Sequence, residues 1–149
     1  MTIDNTIEQY FIDLIKLNST IITGSLEVNH IKDNSVFEKD AYILVSVDGT
    51  APIYSGLKYM KTTLNILVGT RVINCDADGT KRDTNFNAVQ TVLSAISKGD
   101  KSLYGFAIDG FFIKETATQR SENNSHIIKS ISAEILFREI PIVPEITTP

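Results

Sequence analysis

The chain has 149 residues, of which 42% are hydrophobic and 21% are charged. This balance is typical of a folded globular protein, and the length suits one domain with a core of its own. The formal net charge is -4 and the basic residues are scattered, which argues against nucleic-acid binding through phosphate neutralisation.

The first predicted element is an amphipathic helix that begins near Asn5. Asn5 and Glu8 have the spacing of a capping box. The polar residues 18–20 end the helix. Hydrophobic residues recur at spacings of three and four, which predicts one buried face. That face is formed by Ile3, Ile7, Tyr10, Phe11, Leu14, Ile15 and Leu17.

Three strands are predicted next. Residues 20–30 alternate between apolar and polar, and Gly24 weakens the middle of this strand. Residues 41–47 are apolar on both faces, as expected either for a central strand or for a strand at an oligomer interface. The third strand includes Thr62 to Val68 and can continue through residues 72 and 73.

Two segments are more apolar than their predicted surface position explains. Residues 49–60 are predicted as a loop, which either folds back on its own core or is covered by another protein. Residues 141–149 contain three prolines and are predicted as an extended arm, either disordered or lying across a neighbour. We predict a subunit or partner interface made of Pro52, Ile53, Tyr54, Leu57, Tyr59, Met60, Ile142, Val143 and Ile146.

A second amphipathic helix follows the polar loop of residues 76–83. Asp83 or Thr84 is the predicted N-cap, and Gly99 is the predicted stop signal. The apolar positions of this helix are Phe86, Val89, Val92, Leu93 and Ile96.

Two more strands, residues 103–114 and 127–140, complete the predicted domain. The polar stretch 115–126 between them is predicted as a hairpin tip, either a solvated loop without a role or a segment that orders on docking. The order is therefore helix, three strands, helix, two strands. This order predicts one α+β domain over residues 1–140, in which two helices pack on a single, mostly antiparallel sheet of about five strands. The last strand has the clearest inward face, formed by Ile131, Ala133, Ile135 and Phe137.

No residue pattern predicts catalysis, a cofactor or a firm metal site. His30 and His126 are interpreted as solvated edge residues rather than catalytic bases. Cys75 is the only cysteine, which excludes an internal disulfide, and the acidic loop after it disfavours a thiolate. Residues 74–79 match the opening of a calcium loop, but the twelfth position is Asn85 instead of Glu, so a strand-end turn explains them as well. We expect a protein that is not an enzyme.

The order and length of the elements resemble those of the neck proteins of tailed bacteriophages, in particular the tail terminator and tail-completion group. The resemblance covers residues 3–140 and includes the strand 64–68, the helix 86–96 and the final strand residues 132–137. It implies a homo-oligomeric ring, most often a hexamer, that terminates the tail tube and joins it to the head connector. Its partners would be tail-tube and head-connector proteins, and DNA would only pass through the lumen.

The predicted location is the virion, after assembly in the host cytoplasm. No apolar run approaches the ~20 residues that span a bilayer, and the N-terminal residues are acidic, unlike a secretory signal. Two other functions stay open. One is a small cytoplasmic α+β adaptor with an apolar ligand or a protein partner, and the other is an enzyme with a carboxylate pocket.

Overall fold

The structure is a computed structural model that describes residues 3–17, 26–30, 41–52, 59–71, 80–96, 99–101, 104–120 and 126–140. The elements in these ranges are α1 (Ile3–Lys16), β1 (Leu26–His30), β2 (Ala41–Pro52), β3 (Tyr59–Arg71), α2 (Thr80–Ser94), β4 (Gly99–Lys101), β5 (Phe106–Arg120) and β6 (His126–Glu139). The strands form one sheet in the order β1-β2-β3-β6-β5-β4. β1 is parallel to β2, and the other four pairings are antiparallel. The predicted α+β class is therefore confirmed.

The predicted count of five strands is wrong, because β4 adds a sixth. β4 has only three residues, too few to show a sequence pattern, and it pairs with the start of β5. Gly99, the predicted helix stop, is the first residue of β4. α2 begins at Thr80 instead of Asp83 or Thr84. Its first turns contain only polar residues, so the apolar periodicity starts later than the helix.

Both segments that were predicted as long loops are partly strand. β2 continues to Pro52 and β3 begins at Tyr59, so only residues 53–58 of the predicted loop lie outside the described residues. β5 continues to Arg120, so residues 115–120 are not a loop. The hydrophobic alternation is broken in both places by β-bulges, one of which contains Gly49 at a positive φ of 68°.

One hydrophobic core lies between the two helices and one face of the sheet. The inward face predicted for the last strand is confirmed, and so is the burial of three residues of the α1 face. Leu17 is 82% exposed, because α1 ends one residue before it. The core includes Ile7, Phe11, Ile12, Ile15, Ile43, Val45, Leu64, Ile66, Val68, Phe86, Val89, Leu93, Phe106, Ile108, Ile131, Ala133, Ile135 and Phe137.

The opposite face of the sheet also has buried apolar residues at one end. Tyr42 and Leu44 are fully buried there, in the part of β2 that pairs with a strand on each side. The ring of Tyr42 lies over Gly69 on β3. The centroids of the Tyr42 and His126 rings are 5.5 Å apart. His126 is only 3% exposed. The interpretation of His126 as a solvated edge residue is therefore wrong, because β6 lies inside the sheet between β3 and β5.

Candidate functional site

The described part of the predicted interface lies at one end of the β2–β3 hairpin. Pro52 is paired with Met60. Pro52 is exposed and Tyr59 is 45% exposed, whereas Met60 packs partly against the core of its own subunit. The interface itself stays a prediction. Its other residues lie outside the described part of the chain: Ile53, Tyr54, Leu57, Ile142, Val143 and Ile146.

Helix α1 covers the outer side of β2 beyond the end of β1. β1 pairs with β2 only as far as Val45. Two residues later, the backbone N–H of Val47 donates a hydrogen bond to Oε1 of the buried Glu8, at 3.2 Å. A backbone N–H at a sheet edge would otherwise need water or another chain. This contact joins residues 39 positions apart, so the local spacing that suggested a capping box could not show it.

Two threonine hydroxyl groups hold the bulge of β2 in place: one bonds a side chain of α1, and the other joins β3 to the backbone of β2. Thr50 Oγ1 donates to Asp4 Oδ1 on α1 at 2.5 Å and lies 2.8 Å from Thr62 Oγ1 on β3. Thr62 Oγ1 donates in turn to the carbonyl oxygen of Asp48 at 2.9 Å. The bulged part of β2 is therefore held from both sides, by α1 and by β3.

At the other side of the sheet, most of β5 has no described strand on its outer side. β4 pairs with residues 106–108, and no other described strand pairs with the outer side of β5. All side chains from Phe112 to Arg120 are exposed. Two of them are large and hydrophobic, Phe112 at 51% and Ile113 at 39% exposure. A long unpaired strand edge is a ready template for pairing with another chain.

Two β-bulges divide this edge. Asp109 and Lys114 are the extra residues, because the pairing with β6 shifts at each of them. Both form ion pairs with β6: Asp109 with Arg138 at 3.0 Å, and Lys114 with Glu134 at 3.4 Å. From residue 115 to residue 120 the pairing with β6 is regular, so this segment presents an undistorted edge.

An aromatic cluster fastens α1 to the turn before β5. Tyr104 Oη donates a hydrogen bond to Asp13 Oδ2 at 2.7 Å, and Gln9 Nε2 donates to the other oxygen of Asp13 at the same distance. Tyr10 packs edge-on against Tyr104, with ring centroids 5.2 Å apart. Burial, together with the hydrogen bond to Asp13, raises the pKa of Tyr104 to about 12. The phenol is therefore protonated at neutral pH and acts as a hydrogen-bond donor rather than a base.

The described residues show no candidate metal centre. Among them, no group of three or more His, Cys, Asp or Glu side chains could hold a metal ion. The half-motif at residues 74–79 lies outside them. Neither α1 nor α2 is long and apolar enough to cross a membrane. Comparison with models of known protein families gives no match, and comparison with curated proteins gives none either. The open edge of β5 is therefore the strongest candidate for a functional site.

Proposed function

We propose that this protein is the structural subunit of a ring at the neck of a tailed bacteriophage, where it terminates the tail tube and joins it to the head connector. The observation that carries the proposal is the open edge of β5, with its exposed Phe112 and Ile113. Exposed strand edges and exposed large hydrophobic residues are expected where a protein meets a partner. The α+β class supports the resemblance in element order on which the identity of the ring rests.

A ring requires two different surfaces on each subunit, because neighbours in a ring meet head to tail. The two sides of this sheet differ in the required way. One side ends in β1 and is covered beyond it by α1, whereas the other ends in the open part of β5. The formal net charge of -4 also suits a lumen through which DNA passes, since like charges do not attract.

The mass of the purified protein in solution tests the proposal. Six copies of a 16.5 kDa chain give about 99 kDa, and we expect light scattering and native mass spectrometry to find this closed species. Negative-stain images should show rings with a central hole that cap purified tail tubes. A protein that stays a monomer at concentrations of several hundred micromolar contradicts the proposal and favours the adaptor alternative.

A matched pair of surface variants links the ring to the β5 edge. Phe112→Ser removes an exposed hydrophobic side chain from this edge, and we expect weaker assembly while the subunit stays folded. Leu17→Ser removes a more exposed side chain at the end of α1, and we expect assembly as in the unmodified protein. Equal assembly of the two variants would mean that the Phe112 side chain is not part of the subunit contact.

A further inference from the structure

β1 and the far half of β5 end the same rows of paired residues. Residues 26–30 of β1 pair with residues 41–45 of β2, which pair with residues 66–70 of β3. These pair with residues 127–131 of β6, which pair in turn with residues 116–120 of β5. Five complete rows therefore run from β1 at one side of the sheet to the open part of β5 at the other.

The two strands also run in opposite directions. β1 is parallel to β2, and both β2 and β6 are antiparallel to β3. Since β5 is antiparallel to β6, it runs opposite to β1. No described strand pairs with the outer side of β1 or with the outer side of residues 116–120.

We infer that residues 116–120 of one copy pair antiparallel with residues 26–30 of the next copy, so that the sheet continues around the ring. This inference rests on the proposed ring and identifies its interface. Neighbours in a closed ring are related by a rotation without a rise along the ring axis, so the two surfaces that meet must lie at the same level. Residue pairing puts β1 and residues 116–120 in the same rows of the sheet, as a contact at one level requires.

Other edge pairings fit less well. Beyond β1, the side chain of Glu8 on α1 already accepts a hydrogen bond from the backbone N–H of Val47 on β2. At the other end of β5, β4 occupies residues 106–108. The described edges that stay open and level with each other are therefore β1 and residues 116–120.

The residue types of 116–120 are compatible with those of 26–30 on the neighbouring copy. Residues 116–120 carry a formal charge of +1 from Arg120, and residues 26–30 carry -1 from Glu27 with His30 neutral. A level register places no like charges opposite each other, which would be destabilising in a sheet. The pairs in this register are Thr116 with His30, Ala117 with Asn29, Thr118 with Val28, Gln119 with Glu27 and Arg120 with Leu26.

Disulfide trapping between copies tests the interface. In a Cys75→Ser background, one variant carries Thr118→Cys with Val28→Cys, and another carries Ala117→Cys with Asn29→Cys. Opposed residues in antiparallel strands have Cα atoms about 4.5 or 5.5 Å apart, in alternation, and both separations allow a disulfide. After treatment with oxidised glutathione, we expect a ladder of covalent species up to the copy number of the ring on a non-reducing denaturing gel.

Mixtures and a mismatched pair are the controls. An equal mixture of the Thr118→Cys and Val28→Cys single variants should give covalent dimers and nothing larger, because each chain then carries one cysteine. The mismatched pair, Thr118→Cys with Asn29→Cys, should give no ladder, because neighbouring residues of a strand point to opposite faces.

The possible failures are distinguishable. Rings that form but give no covalent species with either matched pair overturn this interface and leave the proposed ring in place. A protein that stays monomeric overturns the ring and the interface together. A ladder from the mismatched pair as strong as from the matched pairs also overturns the proposed register.

Discussion

The contact between Tyr42 and Gly69 gives the sharpest stability prediction. The two residues are directly opposed on β2 and β3, and the Tyr42 ring lies over the glycine. A Cβ atom at Gly69 would overlap three atoms of the ring, Cζ, Cε1 and Cε2. Because Tyr42 is fully buried, its ring has little room to move. Gly69→Ala should therefore destabilise the fold, although alanine is the better residue in an ordinary strand.

The expected cost is about 1–3 kcal/mol, the usual range for adding a methyl group to a filled interior. For a chain of this size each kcal/mol lowers the melting temperature by roughly 2–4 °C. In a Tyr42→Leu background the obstructing ring is gone. There the same substitution should be neutral, or stabilising by up to about 1 kcal/mol because glycine loses more backbone freedom on folding.

The assay is urea unfolding of the four proteins of this double-mutant cycle, followed by circular dichroism. Gly110→Ala is a control, since the nearest atom to its Cβ would be Cε2 of the half-exposed Phe112 at 3.0 Å, and this ring can move. Its cost should be smaller than that of Gly69→Ala. If Gly69→Ala has the same cost with and without the Tyr42 ring, the reasoning is refuted.

Two further contacts give predictions that can be checked in the same way. Glu8→Ala should cost about 1–3 kcal/mol, since it leaves the buried N–H of Val47 without its acceptor, whereas Glu8→Gln keeps an acceptor and should cost less; urea unfolding measures both. The pKa of Tyr104 is raised from 10.0 to about 12, so its contribution to stability is complete below pH 10 and is lost as the pH rises towards 12. Unfolding measured from pH 8 to pH 12 should show this loss, and Tyr104→Phe should remove it along with the hydrogen bond to Asp13, at a cost of about 1 kcal/mol.

The helices and the regular strands follow from the sequence because their apolar spacing is local. Phe11 and Val89 are buried on the predicted faces of the two helices, and Ile135 is buried on the predicted face of the last strand. These positions are determined by periods of 3.6 or 2 residues, which can be counted along the chain. The α+β class follows from the order of such segments.

The last residues of β2 and the far half of β5 could not be predicted in this way. Each bulge adds a residue and reverses which alternate positions face the helices. The two bulges of β5, at Asp109 and Lys114, leave a regular pattern only before and after them. Residues 115–120 are also exposed on both faces, so nothing in their polarity distinguishes a strand from a loop.

There is therefore a physical reason why the candidate site at the β5 edge could not be predicted from the sequence. What defines the site is that no described strand pairs with the outer side of residues 112–120, and an unpaired edge leaves no periodic signal in its residues. The bond that closes the other side of the sheet is equally non-local, since Glu8 and Val47 are 39 positions apart in the sequence. Residues 49–60 and 141–149 were predicted as an interface because hydrophobic residues can be read from a sequence, whereas unpaired backbone groups cannot.

The free-energy cost of ordering the backbone also favours a partner at the polar end of β5. Ordering the backbone of each residue costs about 1–2 kcal/mol, and residues 116–120 bury little side-chain surface that would offset it. Among the described strands, β6 is the only one that pairs with them. A strand from a second copy would satisfy the N–H and C=O groups on the other side without requiring any hydrophobic residue in this segment. Threonines at positions 116 and 118 suit this role, because they favour strands and stay soluble when the strand is unpaired.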